Sequence, residues 1–350
     1  MKAPQEAITL LQELIEIPSF SGEEDQTAVC IENWLQKRGI ETQRWKNNVW
    51  SKNKNFDSKK PTLLLNSHHD TVQPNKAYTR NPFSADIINK KLYGLGSNDA
   101  GGALVSLIAL FYHFFEHPNP NYNLLIAATA EEETAGVNSL KGLLPHLPNI
   151  DLAIVGEPTL LDLAVAEKGL VVLDATVYGK PSHAAHPNDD QAILKVPKII
   201  NAIENLSFPK VSETLGEVKV TLTQIEAGRQ HNVIPATVKM VIDARVNDRY
   251  TNEEIENILK KELDCEVEAR SLHLRSSSIP VNHPLVLAGV ELGKKTYGSP
   301  TLSDQAALSC PSLKLGPGDS TRSHTADEFI YTNEIEEGIG FYISLLKQIL

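Results

Sequence analysis

Leu63-Leu64-Leu65-Asn66-Ser67-His68-His69-Asp70 is an apolar run that breaks abruptly into two imidazoles and a carboxylate. The same arrangement recurs along the chain. Lys91-Leu92-Tyr93-Gly94-Leu95-Gly96 precedes Ser97-Asn98-Asp99, and Leu124-Leu125-Ile126-Ala127-Ala128 precedes Glu131-Glu132-Glu133. Leu152-Ala153-Ile154-Val155 precedes Gly156-Glu157-Pro158, and Leu313-Lys314-Leu315 precedes the loop bearing His324. Short apolar runs of this kind predict buried strands. In open α/β sheets ligands gather beyond the carboxyl ends of the strands, so five segments are expected to meet at one crevice.

The pattern around these runs is α/β. Ile8, Leu11, Leu14 and Ile15 have helical spacing and stop at Pro18, and Ser21 with Glu24 reads as a capping box ahead of Ala28, Ile31, Trp34 and Leu35. Strand-like and helical runs then alternate to about residue 166, as in a mainly parallel sheet. Near Gly169 the rhythm changes to strand 170–178, helix 191–206, strands 217–225 and 237–246, helix 252–263 and strand 265–274. That order, βαββαβ, is ferredoxin-like. A helix over 285–297 and a last helix over 334–349 restore the first pattern. The expected organisation is a discontinuous domain, 1–168 with 281–350, carrying an inserted domain, 169–280.

The 350 residues carry a net charge of −11, so no basic stripe suits nucleic acid, and no apolar run is long enough to span a membrane. Cys30, Cys265 and Cys310 are odd in number and far apart, which fits no disulfide framework. Residues 1–20 lack the basic-then-apolar profile of a signal peptide. A cytoplasmic enzyme acting on a small molecule is the expectation.

Two imidazoles and three carboxylates can hold two divalent ions if one carboxylate bridges. Two ions a few ångström apart polarise a carbonyl and make water a nucleophile at neutral pH. Alternation along an extended segment places His68 and Asp70 on one side, where Asp70 can accept the second imidazole N–H, and sends His69 the other way. Of the adjacent Glu132 and Glu133, one can serve a metal and the other the water; spacing leaves the assignment open. His113 and His117, four apart near a helix end, are read as partners of free carbonyls rather than ligands.

With these motifs in this order, the chain resembles the zinc aminoacylase and carboxypeptidase metallopeptidase family that includes acetylornithine deacetylase and succinyl-diaminopimelate desuccinylase. The resemblance implies an α/β fold: a mainly parallel-sheet dinuclear zinc-hydrolase domain with an inserted ferredoxin-like dimerisation domain. It implies that Asp99 bridges two ions, that His68 and Glu157 complete one and Glu133 and His324 the other, and that Glu132 is the general base with Asp70 orienting His68. It further implies a cis peptide at Asp99-Ala100. His183, in Gly179-Lys180-Pro181-Ser182-His183, matches a histidine lent to the partner's site in a homodimer. Asn232, Arg245 and Gly316 match substrate-binding positions. Gly101, Glu131 and Glu167 depart from residues common in relatives. The ions are expected to be zinc, with cobalt or manganese as alternatives. The expected reaction is removal of the N-acyl group from N-acetylornithine, in arginine biosynthesis. Lys168, Arg229 and Arg322 could instead accept a succinyl carboxylate, which keeps a desuccinylase open; a dipeptidase or a non-catalytic binding module is the remoter alternative.

Overall fold

The structure, a computed structural model, describes residues 2–118 and 121–350. The chain divides into two compact units. One comprises Met1–Val165, Ser278–Tyr297 and Ser303–Leu350, and the other Ala166–Ser277 with Gly298–Leu302. The divisions fall slightly earlier than the sequence suggests, and Gly298–Leu302, expected in the first domain, groups with the inserted unit.

The first unit runs α1 (Lys2–Ile15), α2 (Asp25–Gln36), β1 (Asn48–Lys52), β2 (Thr62–His68), α3 (Gly102–Phe114), β3 (Asn123–Thr129), β4 (Leu152–Val155) and β5 (Leu163–Glu167). The inserted unit contributes β6 (Gly169–Tyr178), α4 (Ala192–Glu204), β7 (Lys219–Ala227), β8 (Thr237–Val246), α5 (Asn252–Glu262) and β9 (Glu266–Ala269). The chain then returns through α6 (Pro284–Glu291), β10 (Ser312–Lys314) and α7 (Thr332–Ile349).

In the first unit the strands lie in the order β1-β3-β2-β4-β10-β5. The middle four, β3, β2, β4 and β10, are parallel, with His68 opposite Thr129, Asn66 opposite Val155 and Lys314 opposite Val155. Their carboxyl ends therefore share one edge of the sheet. Because side chains alternate along a strand, Leu63, Leu65, Leu124, Ile126, Ile154 and Leu313 join the core with Leu104 and Phe111 of α3 and Tyr342 of α7. Leu64, Leu125 and Ala153 face the other way, onto Trp50, Leu140 and Leu143. Burial on both faces explains why these strands read as unbroken apolar runs.

The inserted unit is a four-stranded antiparallel sheet in the order β7-β8-β6-β9. Numbered within the unit this is 2-3-1-4, the ferredoxin-like order that the βαββαβ reading requires. Val171, Leu173, Ala175 and Val177 of β6 and Val238, Met240, Ile242 and Ala244 of β8 form its core with Ile199 of α4 and Ile255 and Leu259 of α5. The acid-rich start of α5 is a capping box in which Thr251 and Glu254 exchange bonds with each other's backbone N–H.

Two local expectations are corrected. Ser21 does not cap α2; its hydroxyl donates to Asp70 Oδ2 at 2.7 Å, and Glu24 occupies the N-cap position without a side-chain cap bond. The helix expected over 285–297 ends at Glu291. Gly293, at φ 85°, closes it in a Schellman motif, with its N–H on Val290 O and the N–H of Lys294 on Gly289 O. Tyr297 instead lies in the short strand Thr296–Ser299.

Candidate metal centre

Four of the five expected segments arrive from the shared strand edge. β2 ends at His68, and the turns after β3 and β4 carry Glu132-Glu133 and Glu157. The loop after β10 carries His324, whose φ is 58°. Asp99 comes from elsewhere: the strand before it, Lys91–Tyr93, belongs to a separate three-stranded sheet with Phe329–Tyr331 and Ile87–Ile88. Asp99 sits in the tight turn leading into α3, and its bond to Ala100 is cis, as the resemblance implies.

The side chains meet around Asp99. Oδ1 of Asp99 lies 3.4 Å from His68 Nε2, which is 3.8 Å from Glu157 Oε1. Oδ2 lies 3.6 Å from His324 Nε2, which is 2.9 Å from Glu133 Oε2. One carboxylate thus presents its two oxygens to two separate histidine–glutamate pairs. Two ligands each about 2.1 Å from a divalent ion at a tetrahedral angle are about 3.4 Å apart, so these separations suit two ions sharing Asp99. Donor atoms of His68, Asp99 and Glu133 all lie within 4.8 Å of one another. The mix of imidazole nitrogen and carboxylate oxygen fits zinc, cobalt or manganese.

Asp70 orients the site from behind. The Nδ1 of His68 lies 2.9 Å from the carbonyl of Asp70 and 3.4 Å from its Oδ1, so the backbone shares the role expected of the carboxylate alone. With Nδ1–H committed there, Nε2 is left as a ligand. The Asp70 carboxylate also accepts the N–H groups of Glu132 and Glu133, at 3.1 Å each. His69 points away, bonded to Thr27 Oγ1 and the carbonyl of Asn47, and burial pushes its pKa down to about 4.

The electrostatics are those of crowded carboxylates. Burial, and then the charge of Asp99, push Glu157 up to about 8. Burial likewise raises Glu132 well above the usual range, with His68 opposing and Glu157, Asp304 and Glu133 reinforcing. The hydrogen bond to Glu133 outweighs partial burial at His324 and takes it to about 9. Although burial works against ionising Asp99, its hydrogen bond with His68 keeps its pKa low.

Gly316 lets two loops approach closely, and its N–H donates to Thr159 Oγ1 at 3.1 Å. A Cβ there would fall 2.5 Å from the Glu157 carbonyl, and its own carbonyl accepts the N–H groups of Thr159 and Leu161. Glu131 bonds the N–H and side chain of Asn138, bracing the turn that carries Glu132 and Glu133. In the inserted unit, Ser182-His183 pairs with Val233-Ile234, and the N–H of Ala184 donates to Asn232 O at 3.0 Å, so His183 and Asn232 are neighbours. His183 Nδ1 accepts the N–H of Ala185, which leaves Nε2 to carry the proton and face outward. Arg245 is forked on Asp243 through Nε and Nη2, at 2.8 and 3.1 Å, which leaves the two N–H groups of Nη1 and the second of Nη2 for another partner.

Two buried carboxylates escaped the sequence reading. Glu328 accepts three backbone N–H groups around Asp99, and Asp304 accepts the hydroxyl of Thr129 at 2.7 Å. Neither follows an apolar run in the manner of the others; the adjacency of Glu328 to the His324 loop was the available signal.

Residues 64–348 match the profile of Peptidase family M20/M25/M40. The chain belongs to this family. Succinyl-diaminopimelate desuccinylase 2 of Ruegeria sp. (strain TM1040) is 26% identical over 267 residues, which cover 70% of this chain and 66% of that one, just under two thirds of the relative. Succinyl-diaminopimelate desuccinylase of Parvibaculum lavamentivorans is 25% identical over 386 residues, covering 99% of this chain and 96% of the relative. In structure, an M20 family metallo-carboxypeptidase from Sulfolobus solfataricus superposes with a TM-score of 0.79 over 98% of this chain and 99% of that one, at 18% identity, a likeness of fold. The M20 member described here is a metal-dependent amidohydrolase. Among the described residues no helix is long and apolar enough to cross a membrane.

Replacing Asp70 by Asn should leave all five donor side chains in place yet weaken zinc binding by about 10- to 100-fold, because His68 and the Glu132-Glu133 turn lose their common anchor. Competition against a chromophoric chelator measures it.

Proposed function

We propose that this M20 enzyme removes a succinyl group from the amine of an N-succinylated amino acid. The observation that carries the reaction class is Asp99, whose two oxygens face His68 with Glu157 and His324 with Glu133. These five residues are the proposed ligands of two ions, zinc by preference. When bound, the ions would polarise the acyl carbonyl and make water acidic enough to attack it. Glu132, whose side chain makes no ion pair with either histidine, takes the proton of the attacking water and returns it to the amine nitrogen as the C–N bond breaks. His183, with its proton on Nε2, donates to the carbonyl oxygen as negative charge grows there.

The acyl group is read from the relatives named above, which favour succinyl over the acetylornithine expected from sequence. The chain's own cations agree. Of the three proposed for a succinyl carboxylate, Lys168 gives its Nζ to the carbonyl of Glu217 and Arg322 is forked on Glu334 at 2.6 and 2.9 Å. Arg229, on the loop before Asn232, makes no ion pair among the described residues and can present its fork to a carboxylate.

The active form is read as a homodimer through the inserted unit. Edge strand β7 has one side unpaired in its sheet and offers a ladder to a second copy. Asn232 and Arg245, both assigned to the substrate, also lie at opposite ends of this unit: Arg245 pairs with Leu170, whereas Thr237, at the end of β8 nearer Asn232, pairs with Tyr178. At about 3.3 Å per residue, Thr237 and Arg245 are about 26 Å apart, too far for both ends to grip one amino acid. Two copies, one lending His183 and Asn232 and the other Arg245, resolve this.

Three measurements bear on these assignments. The zinc enzyme should show a higher kcat/KM for N-succinyl than for N-acetyl forms of the same amino acid, and Arg229→Ala should narrow that ratio by about tenfold or more; a preference for acetyl would overturn the acyl assignment. Glu132→Gln should bind zinc nearly as the wild type does while losing turnover, and retention of most activity would remove Glu132 from the mechanism. His183→Ala and Glu132→Gln, each inactive alone, should recover up to about a quarter of wild-type activity when their subunits are exchanged, since half the dimers are hybrids with one intact site. No recovery would place His183 outside the partner's site.

A further inference from the structure

Glu328 is 2% exposed and lies four residues beyond His324. Its Oε1 accepts the N–H of Asn98 at 2.8 Å and that of Asp99 at 2.9 Å, and its Oε2 accepts that of Gly96 at 3.1 Å. The carbonyl of the same residue accepts the N–H of Gly94 at 3.0 Å. Of the six N–H groups from Gly94 to Asp99, four therefore go to Glu328, three of them to its carboxylate; those of Leu95 and Ser97 go to the carbonyls of Pro82 and Gly94. A buried N–H deprived of its acceptor is left with the full cost of its desolvation, which drives the backbone to move.

The hold extends to the His324 loop. Asn98 accepts the N–H of Asp319 at 3.0 Å, and its amide donates to Asp319 O at 3.0 Å and to Ser323 Oγ at 3.4 Å. Asp327, next to Glu328, accepts the N–H groups of Thr79 and Arg80 at 2.9 Å each, so the segment that presents Glu328 is itself fastened.

We propose that Glu328 is a positioning residue. By holding the N–H groups of Gly96, Asn98 and Asp99 it fixes the Asp99 carboxylate so that Oδ1 faces His68 and Glu157 while Oδ2 faces His324 and Glu133. Through Asn98 it keeps that turn in register with the loop of His324. The proposal rests on the reading of Asp99 as the shared ligand of two ions. Glu328 touches neither substrate nor ion; it acts through the direction in which Asp99 points.

The test is Glu328→Gln, which keeps the volume but turns one accepting oxygen into an NH2 group that faces N–H donors. Zinc affinity is read by competition with a chromophoric chelator, stoichiometry by metal analysis after dialysis, and the orientation of Asp99 by crystallography. Ile199→Ala, a cavity in the inserted unit's core, serves as a destabilised control. Glu328→Gln should lose about 10- to 100-fold in zinc affinity, fall from two ions toward one, and show Asp99 rotated, while the control binds zinc as the wild type does. A folded Glu328→Gln protein with zinc affinity within about twofold of wild type, or with Asp99 unmoved, overturns the proposal. Should that variant fail to fold, Glu328→Asp decides. It keeps the charge but falls one methylene short, so wild-type affinity in it is equally fatal and a comparable loss is supportive. A wild-type protein that binds no zinc would instead refute the metal reading, and the orientation of Asp99 in the variant crystal would still decide the role of Glu328.

Discussion

Asp99, Glu132, Glu133 and Glu157 must stand close together although their charges repel, and most of the first unit can be understood as the apparatus that makes this tolerable. Burial first, and this repulsion after it, carry Glu157 to about 8 and raise Glu132 well beyond its ordinary range. Side chains alone could rotate apart. What prevents this is that the turns behind them are bonded at the backbone to further buried carboxylates. Asp70 holds Glu132 and Glu133, Glu24 accepts the N–H of Glu131 at 3.2 Å, and Glu328 holds Asp99 and its neighbours. With their backbone N–H groups taken by these acceptors, the turns that carry Glu132, Glu133 and Asp99 are held in place before any ion arrives.

This arrangement explains which parts of the site were legible in sequence. His68, Glu132, Glu133, Glu157 and His324 follow apolar runs because parallel strands buried on both faces must be apolar and must end where the crevice begins. The pattern and the chemistry thus coincide in the sequence. Asp99 also follows an apolar run, yet its strand belongs to a different sheet, so the rule that singles it out does not describe its origin. Asp304 and Glu328 have no such flag. Acids in loops are usually solvated, and only long-range backbone partners such as Gly96 with Glu328, 232 residues apart, reveal that these are buried. Ser21 erred in the opposite sense: its spacing to Glu24 satisfies a capping box, but a stronger acceptor, Asp70, lies within reach in the fold. Gly293 was a local stop signal of the ordinary kind, outweighed in the reading by the apolar spacing around it.

The two units divide the chemistry in a way that follows from their architecture. The parallel sheet, with its strand ends on one edge, brings donors from distant parts of the chain to one place, and an insertion between β5 and α6 does not disturb that edge. The inserted unit carries none of the five proposed metal ligands. Its polar candidates lie at the two ends of a long antiparallel strand, His183 and Asn232 at one and Arg245 at the other. In the proposed homodimer, separate copies would contribute these separate ends.

Reaction and specificity are therefore held in the structure with unequal rigidity. The groups assigned to the chemistry have backbones tied by bonds between buried partners, and relatives with different acyl substrates would need little change there. Of the side chains assigned to the substrate, Arg229 and Asn232 are exposed on a loop, and Arg245 is half-buried and already engaged by Asp243. Exposed loop residues carry small costs of replacement and are where one scaffold can acquire a new acyl or amine preference. Lys168 and Arg322 already satisfy acceptors of their own chain, whereas Arg229 makes no ion pair among the described residues, so under the proposed reading its guanidinium would meet an incoming carboxylate without breaking one.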